Sequence, residues 1–157
     1  DKAVAVMAEK AMADLKDETP VFVGVLNGAF MVVSDFMKHY TAPCEVSFVK
    51  LSSYEGTETT HEVKQLIGLN QNLEGRTVVI IEDIVDTGNT VVELVKMFEN
   101  HNLKQLKIAT LFLKPESYKK DIPLDYIGFE IPNKFIVGYG LDYDGLGRNI
   151  PEIYQLK

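Results

Sequence analysis

The sequence predicts an α/β protein with a parallel sheet, and three observations carry that expectation. Short apolar runs without alternation, Val21 to Leu26 and Thr77 to Ile81, have the pattern of strands buried on both faces, as parallel strands are. Segments with helical spacing lie between the strand-like runs, and such alternation implies a parallel sheet with right-handed crossovers. Polar or turn residues follow the strands directly, as Asn27-Gly28 follows Leu26. In sheets of this kind the ligand lies outside the carboxyl ends of the strands.

The elements follow in order. Ala3 to Leu15 carries Val4, Met7, Ala8, Ala11 and Leu15 at helical spacing, and Thr19-Pro20 stops it. After the Val21–Leu26 strand and the Asn27-Gly28 turn, Ala29 to Tyr40 resumes the helical period. Cys44 to Leu51 alternates as a second strand. Ser52 to Lys64 is polar, with Gly56, Thr57, Thr59 and Thr60 and no apolar period, and is expected to be a long mobile loop of the kind that is usually functional or disordered. Thr77 to Ile81 is the clearest buried strand. Thr90 to Asn100 is a helix with Val91, Leu94, Val95 and Phe98 on one face. Ile108 to Leu113, Tyr126 to Phe129 and Phe135 to Tyr139 complete the strands.

The chain of 157 residues has no repeat, low-complexity tract or linker, so residues 1–157 are expected to form one domain. Hydrophobic residues at 46% and charged residues at 25% suit a folded protein rather than a disordered one. A net charge of -7 opposes binding to a phosphate backbone, so nucleic acid is not an expected partner. The single cysteine, Cys44, excludes an internal disulfide framework and a multi-cysteine metal site. The longest apolar run, Val21 to Val33, is interrupted by Asn27 and glycines and is too short to span a bilayer. A cytoplasmic location and no membrane partner are the expectation. With Asp1 first and Met7 the first methionine, the native start is expected upstream.

The chemistry concentrates in Val78 to Thr90. A buried strand ends in Glu82 and Asp83, Asp86 follows, and Thr87-Gly88-Asn89-Thr90 opens a helix. Backbone N–H groups at a tight turn and helix N-terminus form a ready anion site. Thr87 and Thr90 add hydroxyl donors, and Gly88 admits close backbone approach. Adjacent carboxylates repel unless a cation or several hydroxyls lie between them, a role filled by a sugar diol or by Mg²⁺ held through substrate oxygens. A phosphate cradle beside a diol clamp fits a phosphorylated ribose. A lone Asp and Thr at this spacing would be a solvated helix cap more often than a site; the whole strand, acid pair, cradle and helix reverses that balance.

Val79 to Thr90 resembles the phosphoribosyl-pyrophosphate signature of the type I phosphoribosyltransferases. Leu26 to Phe30, Ser53-Tyr54, Lys114-Pro115 and the stretch from Gly128 to Tyr143 resemble the 6-oxopurine branch, the hypoxanthine-guanine phosphoribosyltransferases. The resemblance runs from about Ala3 to the end. It implies a parallel-sheet core flanked by helices, a small hood over the base site and a mobile lid loop. It further implies Mg²⁺-dependent purine salvage: transfer of the phosphoribosyl group from phosphoribosyl pyrophosphate to hypoxanthine or guanine, giving IMP or GMP and pyrophosphate.

By the same resemblance, Glu82 and Asp83 form the ribose-hydroxyl and Mg²⁺ clamp. Asp86 is the catalytic carboxylate near N7 of the purine, as general base or electrostatic stabiliser. Asp86, Thr87, Gly88, Asn89 and Thr90 form the 5'-phosphate loop. Lys114 donates to the 6-oxo group, Phe135 stacks on the base, and Ile136 offers main-chain contacts to its edge. Asp142 lies at the base site and holds a second Mg²⁺. Leu26, Asn27 and Gly28 bind pyrophosphate through a turn that often contains a non-proline cis peptide, and Arg148 contacts the same group. Ser53 and Tyr54 belong to the lid. Many relatives carry lysine where this chain has Asn27, so that side-chain cation is absent here. The resemblance also implies a homodimer or homotetramer.

Bland roles stand beside several of these. Lys114 alone would be a solvated strand-end lysine, Phe135 core packing, and Arg148 a surface charge. A transferase that also accepts xanthine remains open. Regulators of this fold that bind phosphoribosyl pyrophosphate or RNA tend to lose the acids or gain a basic face, whereas Glu82, Asp83, Asp86 and Asp142 are all present. A generic nucleotide-binding domain lacks support, since neither G-x-G-x-x-G nor G-x-x-x-x-G-K-[ST] occurs. His39, His61 and His101 share no metal-ligand spacing, and Cys44 is expected to be an inert, semi-buried thiol.

Overall fold

The stripe Val4, Met7, Ala8 and Ala11 lies fully buried along one face of α1 (Lys2–Asp14). It packs against α2 (Phe30–His39), which buries Val32, Val33 and Phe36. Burial of each of the valine, methionine and phenylalanine side chains contributes about 1.5–3 kcal/mol. The computed structural model describes residues 1–52, 64–67 and 71–156. The lid expectation, with Ser53 and Tyr54, lies outside the described residues, as does His61.

The strands β1 (Val21–Leu26), β2 (Glu45–Ser52), β3 (Lys64–Ile67), β4 (Thr77–Val85), β5 (Gln105–Leu113) and β6 (Tyr126–Glu130) form one sheet in the order β3-β2-β1-β4-β5-β6. Strands β2, β1, β4, β5 and β6 run parallel, as expected. Edge strand β3 pairs antiparallel with β2, so the sheet is mixed at that edge. Lys64, expected to close the polar loop, instead opens β3.

Both faces of the sheet are covered, which is why its central strands read as continuous apolar runs. Phe22, Val79, Ile81 and Ala109 meet α1 and α2 on one side. Val21, Val23, Val78 and Ile80 meet Leu94 and Phe98 of α3 (Asn89–Phe98) on the other. A short 3-10 turn, Glu99–His101, ends α3.

Two further sequence expectations are corrected. Strand β4 does not stop at Ile81; its pairing with β5 continues through Glu82↔Thr110, Ile84↔Phe112 and Val85↔Leu113, so the acid pair lies within the strand. Phe135 to Tyr139 is not a full strand: only β7 (Ile136–Val137) is extended, paired antiparallel with β8 (Tyr154–Gln155). Gly138, Tyr139 and Gly140 all have positive φ, which extended pairing excludes.

The order of strands reverses between β1 and β4. The chain leaves β1 through α2 toward β2, and leaves β4 through α3 toward β5. Connections that diverge in this way leave a crevice at the carboxyl ends of the two strands. Leu26 and Val85 end at that crevice.

Candidate active site

The reversal point brings together residues from β4, the turn after β1, the end of β5 and the small β7–β8 unit. Gly28, Asp83, Ile84, Asp86, Lys114, Phe135, Ile136, Leu141, Asp142 and Arg148 line one cleft of about 350 Å³.

Lys114 directly follows β5, and its side chain is turned inward. The residue is only 6% exposed, and its Nζ donates to Asp86 Oδ2 at 2.6 Å. A charge-assisted pair at this length is among the strong hydrogen bonds, and it removes the reading of Lys114 as a solvated strand-end lysine. The Lys114 backbone N–H donates to Val85 O at 3.0 Å, which holds the two strand ends together.

Asp83 accepts from the Ile84 N–H at 2.9 Å. Its carboxylate lies so close to Gly28 that a methyl group added there would fall 1.8 Å from Oδ2. Only glycine fits that contact. Burial pushes the Asp83 carboxyl up to about 6, opposed by its own backbone hydrogen bonds and by Arg148, and aided by Asp142. Burial likewise raises Glu82, and the neighbouring Asp83 charge adds to it. Consecutive strand residues point to opposite faces; Asp83 lines the cleft and Glu82 does not.

Arg148 ties the β7–β8 unit together. Its Nη2 pairs with Asp142 Oδ1 at 2.5 Å, and its Nη1 donates to Gly140 O at 2.7 Å. The Gly145 N–H donates to Asp142 Oδ2 at 2.8 Å. Arg148 is therefore not a loose surface charge. A methyl group on Gly140 would lie 2.1 Å from Gly28 O, so this unit is seated directly on the turn after β1. Tyr139 donates to Asp35 of α2, a second tie between this unit and the core.

The peptide bond between Leu26 and Asn27 is cis, the geometry the resemblance led us to expect in that turn. Leu26 and Asn27 line a neighbouring cleft of about 500 Å³ with Phe30, Leu146 and Arg148. Arg148 is common to both clefts. Phe135 is 52% exposed and meets Tyr143 edge-on at 5.8 Å, so its side chain is not core packing.

Gly88 caps α3 with φ of +80 and no side-chain cap bond. The first-turn N–H groups of a helix are orphan donors, and here no capping side chain takes them. Thr87, Asn89 and Thr90 are exposed around this end while Gly88 is buried. This cradle adjoins the cleft through Asp86 but does not line it.

Cleft residues without a sequence expectation are Ile84 and Leu141. Each stands beside a carboxylate, Asp83 or Asp142, and that adjacency was the available signal. Nothing in local pattern marked the seating of Gly140 on Gly28.

The phosphoribosyl transferase domain model matches residues 1–144. The chain belongs to the phosphoribosyltransferase family, in its hypoxanthine-guanine branch. It is 43% identical over 152 residues to the hypoxanthine-guanine phosphoribosyltransferase of Streptococcus agalactiae, covering 96% of this chain and 84% of that one. A crystal structure of a hypoxanthine-guanine phosphoribosyltransferase from Bacillus anthracis superposes with TM-score 0.92 at 38% identity, covering 99% of this chain and 92% of the other. A Trypanosoma cruzi hypoxanthine phosphoribosyltransferase variant, complexed with the product IMP, superposes at TM-score 0.91 and 31% identity, covering 99% and 84%. For this phosphoribosyltransferase the cleft at the strand reversal is the candidate active site.

Proposed function

We propose that this phosphoribosyltransferase acts in purine salvage, transferring the phosphoribosyl group of phosphoribosyl pyrophosphate to hypoxanthine or guanine, with release of pyrophosphate and formation of IMP or GMP. The observation that carries the site assignment is the single cleft in which Asp83, Asp86, Lys114, Phe135, Asp142 and Arg148 converge from distant parts of the chain.

The base enters against the exposed ring of Phe135, which offers a stacking face. The Lys114 ammonium can only donate, so it donates to a 6-oxo group and disfavours the exocyclic amine of adenine, which would set donor against donor. Asp86 is held by that ammonium and lies where a carboxylate can take or balance the proton at N7 as N9 bonds to C1 of the ribose. The N–H groups around Gly88 and the hydroxyls of Thr87 and Thr90 hold the 5'-phosphate. Gly28, with the turn before it, and Arg148 receive pyrophosphate.

Mg²⁺ fits this donor set. Asp83 is a carboxyl raised by burial and by the nearby Asp142 charge, which is the state that a hard cation relieves. Among the described residues no three His, Cys, Asp or Glu side chains cluster as a protein-only metal site. Mg²⁺ needs none, since it typically uses one or two carboxylates together with substrate oxygens and water. Asp83 would hold one ion and Asp142 a second, while Glu82, expected in the clamp, points to the opposite face of β4 and does not line the cleft. When bound, the ions counter the charge of the departing pyrophosphate.

The reading extends to a homodimer or homotetramer, supported by the apolar side chains of Phe30 and Leu146, exposed across the second cleft. It places the enzyme in the cytoplasm; among the described residues no helix is long and apolar enough to cross a membrane.

The test is a spectrophotometric assay with phosphoribosyl pyrophosphate and Mg²⁺, offering hypoxanthine, guanine, xanthine and adenine. Turnover of hypoxanthine and guanine with little on adenine is expected. Asp86→Asn should lower kcat by about 10²–10⁴-fold, the usual contribution of a positioned acid or base. Binding of phosphoribosyl pyrophosphate without turnover of any base would overturn the enzymatic reading in favour of a regulator.

A further inference from the structure

The proposed 5'-phosphate cradle has no basic residue of its own: Asp86, Thr87, Gly88, Asn89 and Thr90 offer backbone N–H groups, hydroxyls and a carboxylate. The two cations that line the adjoining cleft are both engaged, Lys114 with Asp86 and Arg148 with Asp142. An incoming phosphate dianion thus meets donors but no uncommitted positive charge within the cleft.

A lysine reaches the cradle from another element. The turn after β5 passes over Gly88, so that a methyl group on Gly88 would lie 2.5 Å from Cε2 of Tyr118 and 2.9 Å from Cγ of Lys120. The stem of Lys120 is therefore packed at Cγ on the backbone that caps α3. The turn is held in place. The N–H groups of Ser117 and Tyr118 donate to Lys114 O at 3.1 and 3.0 Å. On the other side of Lys120, the Tyr118 hydroxyl donates to Ile122 O at 2.5 Å. The Tyr118 ring packs with Val85 and Val91, at the two ends of the cradle segment. Lys120 is half-buried while its neighbour Lys119 is exposed. Among the described residues Lys120 makes no ion pair, even with the adjacent Asp121.

We propose that Lys120 is the phosphate-binding cation of this site, supplying from the turn after β5 the charge that the cradle lacks. The inference rests on the function proposed above, because it takes the 5'-phosphate to sit at Gly88. Its stem, fixed on Gly88, loses less freedom on binding than a free surface lysine would, and partial burial weakens screening by salt. The ammonium acts as a point charge on the phosphate oxygens, beside the directional N–H donors of the helix end.

The test is calorimetric binding of IMP at low and high salt, with hypoxanthine KM measured in parallel. Lys120→Met keeps the packed stem and removes the charge. It should weaken IMP about tenfold, equivalent to ~1.4 kcal/mol, flatten the salt dependence, and leave the hypoxanthine KM within about twofold. Lys120→Arg should restore most of the affinity, and Lys119→Met should match the unmodified protein. Unchanged IMP binding in Lys120→Met, an equal loss in Lys119→Met, or a parallel loss in hypoxanthine KM would overturn the proposal. If the unmodified protein binds no IMP, the functional reading itself falls and takes the role of Lys120 with it. Failure of Lys120 alone leaves IMP binding by the unmodified protein intact.

Discussion

Asp83 carries a cost that its proposed role explains. Its carboxyl is raised from an ordinary value of 3.8 to about 6, chiefly by burial. The folded state binds the proton more tightly than the unfolded state does, so stability is highest below about pH 4 for this group and falls as pH rises toward 6. Above that the loss is complete, and by linkage it amounts to at most about 3 kcal/mol. Asp83→Asn should therefore raise the melting temperature of the metal-free protein at pH 8 by several degrees. The gain should shrink toward zero near pH 4, as thermal denaturation across that range would show. The same variant should lose phosphoribosyl transfer. A carboxylate that destabilises the free protein yet is needed for turnover is expected where a cation and substrate supply the missing counter-charge. Asp86, Lys114 and Arg148 were legible as single residues in their motifs. Their pairings were not, because Lys114 meets Asp86 only after β4 and β5 have come together, and Arg148 meets Asp142 only through the way the loop between β7 and β8 turns back on itself.

Among the elements, β4 and the β7–β8 unit decide the shape of the cleft. The apolar run of β4 was plain in the sequence, but its end was set by β5, whose backbone keeps pairing through Val85. The acids consequently alternate across the pleat, and Asp83 faces the cleft while Glu82 does not. The β7–β8 unit is seated on the turn after β1 through Gly140 and Gly28. Gly140 has φ of +98, a conformation that costs an L side chain more than about 1 kcal/mol, and the added methyl would meet Gly28 O besides. Gly140→Ala should displace this unit from the turn, destabilising the protein and raising KM for phosphoribosyl pyrophosphate more than KM for hypoxanthine. Steady-state kinetics with each substrate varied in turn checks this; equal KM values to the unmodified enzyme would show that the seating does not position the site.

At the scale of the whole molecule the site is a consequence of strand order. Because the order reverses between β1 and β4, the turn at Gly28 and the strand end at Val85 open onto one crevice, and the four carboxylates Glu82, Asp83, Asp86 and Asp142 gather near it. Ligand and metal should then stabilise the fold by mass action. At 100 times its dissociation constant, phosphoribosyl pyrophosphate with Mg²⁺ contributes ~2.7 kcal/mol, a rise of about 5–10 °C for a chain of this size. Removing the metal with a chelator should abolish most of that rise while leaving the melting point of the ligand-free protein unchanged, as scanning fluorimetry would show. The sequence by itself determined the α/β class, the parallel core strands and the helix that opens at Gly88, because these follow from local periodicity, turn chemistry and contiguous motifs. Tertiary structure alone decided that Glu82 turns away from the cleft, that Arg148 is held by Asp142, that the β7–β8 unit rests on Gly28, and that Lys120 crosses Gly88. Pleat direction, strand order and the turning back of loops, rather than local pattern, set these outcomes.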